Sequence, residues 1–245
     1  SAAELVLELL ARVVKLLEEV LKRLIDLHRD VLKKIKDVLD RDHELHERVL
    51  RELVKVLREA ERRDEETVRR LLEEVRKAIE RVLEESKKRL DEVVKDSRRV
   101  LEEVKELLRR VEEDIERVLR EVKRSNNVEE RILRDLEELL RRLIELLRRL
   151  LEEVRKINEE IIRLLEKLLR RNAEILRTLL RLAERDIDKR EELEKRLRET
   201  LDEHRDLLRK LKEFLDRSLE DLERRVDEVR KELERVLEEL KRKLK

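Results

Sequence analysis

The chain has 245 residues, 54% of them charged and 39% apolar, yet 67 basic and 66 acidic side chains leave a formal net charge of only +1. Gly, Pro, Cys, Met, Trp, Tyr and Gln are all absent, and Phe214 is the one aromatic residue. This composition excludes a disulfide framework, thiolate chemistry and a glycine-rich phosphate loop. It argues against a turn-rich β fold, which needs Gly and Pro, and it presents nucleic acid with no basic footprint. Disorder, which high charge often signals, is disfavoured because the charges cancel and the apolar residues are regularly spaced.

The first predicted helix covers residues 2–60. It opens on Ser1 with Glu4 three residues on, the capping-box arrangement in which two side chains satisfy orphan amides. Its start lacks the basic segment of a signal peptide, and no apolar run approaches the roughly 18 residues needed to cross a bilayer. The chain is therefore expected to be soluble, without a targeting signal or membrane contact, and suited to production in a host cytoplasm. One apolar column runs through Leu9, Leu27 and Leu45, and a second through Leu10, Val14, Leu17, Leu21 and Ile25.

The pattern breaks between Glu61 and Glu66, where Asp64 can cap a second helix over 65–124. Here the seam Val68, Leu72, Val75, Ile79, Val82, Ser86 advances in steps of 4-3-4-3-4 and then repeats, a period of 18 residues. Such a repeat holds 3.6 residues per turn, the period of a straight α-helix, whereas seven-residue repeats impose a left-handed supercoil. Ser125-Asn126-Asn127 forms the next turn, with Asn127 and Glu130 as capping box for a third helix over 128–184. That helix repeats from Ile132 through Leu150 and Leu168, with a second column at Leu140, Ile144, Leu147 and Leu151. Asp188 and Glu191 cap a fourth helix, 189–245, which repeats from Leu193 through Leu211 and Val229 but has a leaner apolar face.

Connections this short force neighbouring helices to run antiparallel. The predicted fold is all-α: one single-chain up-down-up-down four-helix bundle of very long, nearly straight helices spanning 1–245. The wide faces of the first and third helices suit a rhombic cross-section in which those two meet on the short diagonal. The competing reading is an exposed stripe on helices 1 and 3 that drives homo-oligomerisation.

The shared 18-residue repeat, equal helix lengths, Leu/Glu/Arg/Lys surfaces and capped short loops resemble computationally designed helical bundles built from parametric backbones. The resemblance covers the whole chain and implies a stable monomeric scaffold, with no activity, no cofactor and no required partner. The loops depart from many such designs in lacking Gly.

Few polar residues interrupt the seams: Asp42, Ser86, Ser97, Asn172 and His204, with His28, His43, His46, Asn158, Thr200 and Ser218 beside them. Pairing residues at equal distance from each turn gives their heights to about three residues, or ~5 Å. Asp42, His43, His46, Asn172, Thr200 and His204 fall at one level, with Ser86 slightly displaced; His28, Ser97, Asn158 and Ser218 fall at another. A buried polar atom without a partner costs roughly 1–3 kcal/mol, so these groups are expected to bond across the core and fix helix register. The alternatives are a metal site from His43, His46, His204 and Asp42, or a pH response through the same imidazoles. The first is disfavoured because diiron bundles use Glu-x-x-His pairs, and the sequence contains none. No nucleophile–base pair is suggested by any spacing, so no enzyme is expected.

Overall fold

The computed structural model describes residues 2–124, 128–185 and 187–244. Four long helices account for nearly all of them: α1 (Ala2–Glu59), α2 (Glu65–Arg124), α3 (Glu130–Arg185) and α4 (Arg190–Leu244), with a 3-10 turn at Ile187–Lys189. No strand occurs among the described residues, and α1 packs beside α2 and α4 while α2 also packs beside α3. The fold is an all-α four-helix bundle.

Each helix forms because Leu, Glu, Arg and Lys lose little rotamer freedom in a helix and because one apolar stripe recurs at helical spacing. The start of α1 and both ends of α2 fall where expected, and the other ends differ by a residue or two. At the start of α2 the Asp64 carboxylate accepts the Thr67 backbone amide at 3.0 Å, and the Asp64 carbonyl accepts the first helical bond, from Val68, at 3.1 Å. Asp64 is thus an N-cap. The α3 N-cap position falls on Glu129, whose carbonyl accepts the Leu133 amide; the expected caps Ser1 and Asn127 lie outside the described residues. Asp188 sits in the middle of the 3-10 turn instead of standing as a lone cap. Tight i→i+3 bonding there can satisfy amides that a cap would otherwise serve.

The chain divides into two units, each holding a stretch of all four helices. One comprises residues 1–30, 97–159 and 217–245. Its core includes Leu10, Leu17, Leu21, Ile115, Leu136 and Leu140, all fully buried. The second column of α1 is therefore core at Leu10, Leu17 and Leu21. Exposed ion pairs such as Arg23–Glu103, Arg148–Glu112 and Lys243–Asp135 join neighbouring helices at the surface.

The other unit comprises residues 31–96 and 160–216. Its core gathers Leu53, Leu57, Leu72, Ile79, Leu176 and Leu197, with Arg58–Glu194 and Arg76–Glu184 bridging helices at 2.5 Å each. Its α4 stretch is thinly packed: no residue between Leu197 and Leu215 is buried.

Candidate functional site

Four helices deliver polar side chains to one level of the unit formed by residues 31–96 and 160–216. From α1, Asp42 is buried (2% exposed). Ser86, from α2, donates its hydroxyl to Asp42 Oδ1 through a short hydrogen bond. Asn172, from α3, donates to His204 Nε2 on α4 at 2.6 Å and more weakly to Asp42 Oδ2 at 3.4 Å. The Asn172–Asp42 contact joins α1 directly to α3. His204 Nδ1 lies 2.7 Å from His43 Nδ1, which brings the chain of contacts back to α1.

These distances fix a consistent set of protons. The Asn172 N–H makes His204 Nε2 an acceptor, so neutral His204 carries its proton on Nδ1 and donates it to His43 Nδ1. The His43 proton is then on Nε2, which faces Glu47 Oε2 at 3.6 Å. His46 donates from Nδ1 to the Asp42 backbone carbonyl at 2.7 Å, leaving its buried Nε2 lone pair without a partner. His204 stacks on both other rings, with centroids 4.9 Å from His43 and 5.4 Å from His46.

Burial lowers the His204 pKa from its ordinary 6.5 to about 4, reinforced by the neighbouring His46 and His43. His43 is also lowered, first by burial, although Glu47 opposes the shift. Burial acts to raise Glu47, but the Arg205 hydrogen bond and the Arg51 charge hold it below the usual carboxylate range. Glu47 and Arg205, paired at 2.8 Å, were not singled out from sequence. The signal available was the four-residue step from His43 to Glu47, one of very many charged pairs at that spacing.

Beside this level lies a cleft of about 300 Å³ lined by His46, Asn172, Thr200 and His204 together with Leu50, Ile175 and Leu201. Thr200 is part of its wall. Among the described residues no group of three or more His, Cys, Asp or Glu side chains is arranged to hold a metal ion. The imidazole nitrogens of His43 and His204 instead face each other, and Asp42 is engaged by Ser86 and Asn172.

The residues expected at the second level lie in the unit formed by residues 1–30, 97–159 and 217–245. His28, Ser97, Asn158 and Ser218 are all buried there. Both His28 ring nitrogens and both amide atoms of Asn158 lack a hydrogen-bond partner. Burial alone lowers His28 from 6.5 to about 4. The two levels thus differ: a carboxylate acceptor and short donors gather around Asp42, whereas nothing of opposite hydrogen-bonding character reaches His28 or Asn158.

No helix among the described residues is long and apolar enough to cross a membrane. Comparison with protein-family models, with characterised proteins and with solved structures finds no match to the chain.

Proposed function

We propose that the chain is a structural scaffold without catalytic activity, of the kind made by computational design of helical bundles. In this reading the helices run without supercoil, folding is hyperstable, and the polar level around Asp42 fixes which helix faces which and at what height. One observation carries it: Asp42, Ser86, Asn172 and His204, one residue from each helix, contact one another within an otherwise apolar seam. A hydrogen-bonded polar layer disfavours slipped registers, because a slip strands buried donors and acceptors.

The test replaces the four residues that bond across the helices, with Asp42→Leu, Ser86→Ala, Asn172→Leu and His204→Leu together. Apolar substitution of a complete polar cluster is often neutral or stabilising, so the melting temperature is expected to hold or rise. The amide NMR spectrum is expected to gain extra peaks as alternative registers become populated. A single unchanged set of peaks would remove the register role. The parent protein is expected to melt above about 90 °C, the hyperstable range; a midpoint in the ordinary mesophile range would count against the scaffold reading.

A second reading, a pH-responsive bundle, draws on the proton chain Asn172–His204–His43. Protonating His204 at Nε2 sets a new N–H against the Asn172 amide donor, so the bond is lost. Titration of His204 near pH 4, with peak shifts spreading to Asn172 and His43, would support it. An untouched Asn172 amide would oppose it.

A further inference from the structure

Away from the polar level, α3 and α4 border a cleft of about 320 Å³ lined by Leu164, Leu168, Leu207, Leu211 and Phe214. Leu164 is 38% exposed, an unusual position for a leucine in this chain, and Phe214 is its only aromatic side chain. The thin packing of α4 between Leu197 and Leu215 leaves this apolar surface uncovered. The charges at its edge are Lys167, Arg171 and Lys210, with no carboxylate in the lining. Acidic and basic residues are almost equal in number along the chain, so an edge of one sign is a local departure. Lys210 meets Asp206 at 3.3 Å, whereas Lys167 and Arg171 are exposed and have no ion-pair partner among the described residues. The cleft shares Arg171, Leu207 and Lys210 with the one beside His204, so the space continues along α4 toward Leu201, where the carboxylates Glu203 and Asp206 join the lining.

We propose that this α3–α4 cleft binds a free fatty carboxylate, with the alkyl chain along Leu164, Leu207, Leu211 and Phe214 and the carboxylate at Lys167 and Arg171. The chemistry matches at both ends. An alkyl chain removes apolar surface from water on both partners, and a guanidinium with a neighbouring ammonium receives a carboxylate through charge-assisted hydrogen bonds. A neutral apolar ligand would leave the cations unused, and a cationic amphiphile would be repelled by them.

The experiment is a calorimetric titration of the full chain with dodecanoate below its micelle concentration, alongside octanoate and dodecyltrimethylammonium. Expected is saturable binding of one dodecanoate, at least tenfold tighter than octanoate, because each buried methylene contributes up to about fourfold. The cation is expected not to bind at that site. Lys167→Glu with Arg171→Glu is expected to weaken dodecanoate about tenfold or more, and Leu164→Glu to weaken it independently. All three substitutions lie at exposed positions, and circular dichroism checks that helicity is kept. The proposal is overturned by equal binding of the cation, by many molecules bound per chain without saturation, by affinity unchanged in the charge-reversed variant, or by binding to anionic vesicles alone. The scaffold reading stands or falls separately, on the register and melting measurements.

Discussion

Asn158 and Asn172 are the same residue type on the same helix, each 3% exposed, yet their environments are opposite. Asn172 donates to His204 and Asp42, whereas neither amide atom of Asn158 has a partner. Replacing each by Leu should therefore move stability in opposite directions. Asn172→Leu leaves His204 Nε2 without its donor and Asp42 with one fewer, a loss expected at about 1–3 kcal/mol. Asn158→Leu removes two unpaired polar atoms and is expected to be neutral or stabilising; chemical denaturation of the two variants side by side measures the difference. His28 makes a related prediction in pH. Its folded pKa of about 4 lies below its ordinary 6.5, so between those values the unfolded chain binds a proton that the folded chain refuses. Stability therefore falls as pH drops from about 6.5 to 4 and levels off below, by roughly 3 kcal/mol for a shift of this size. His204 adds a smaller loss over the same window, because it is partly exposed and screened. His28→Leu should flatten the acid side of the stability curve; an acid limb as steep as the parent's would exclude His28 as its source.

Among the helices, α2 has a well-defined start and α4 a thinly packed first half. The Asp64 cap holds the Thr67 amide, and hydrogen bonds from Thr67 lower the pKa of the carboxyl. Asp64→Ala is expected to lower stability by removing the N-cap, read as a downward shift of the denaturation midpoint with unchanged slope. In α4, residues 201–211 bury no side chain fully, while the facing part of α3 buries Leu165, Asn172 and Leu176. Local opening tracks buried apolar contact. Amide hydrogens over 201–211 should therefore exchange before those over 165–176, and equal protection would show that α4 is held there by more than its packing. The same uncovered surface underlies the proposed fatty carboxylate cleft.

At the scale of the whole chain, stability is spread over many weak surface contacts and concentrated in a smaller set of buried side chains. The exposed ion pairs, many of them three or four residues apart on one helix, contribute little each, because water and salt screen them. Salt should therefore shift the melting temperature modestly. Buried leucines matter more: Leu21 and Leu215 are fully buried, and truncating either to Ala is expected to cost about 2–5 kcal/mol. The proposed monomeric scaffold predicts that light scattering returns the mass of one chain at every concentration. A mass rising with concentration would favour association through the helices whose apolar faces are widest.

The amino-acid sequence by itself determined that the chain is helical, that its helices number four and where they break, because composition and an 18-residue apolar repeat act locally and cooperatively along each helix. It also placed Asp42, Ser86, Asn172 and His204, which meet in the structure, within about 5 Å of one another in height. Hydrogen bonding is decided on a finer scale, since it turns on donor–acceptor separations of about 3 Å. Only the tertiary structure could therefore decide that Asp42 takes Ser86 and Asn172, that His43 meets His204 nitrogen to nitrogen, and that His28 and Asn158 meet no partner. The α3–α4 cleft belongs to the same class of fact. The lean face of α4 was legible in its sequence, but that Leu164, Phe214, Lys167 and Arg171 line one surface depends on how two helices are rotated about their axes, which no periodicity specifies.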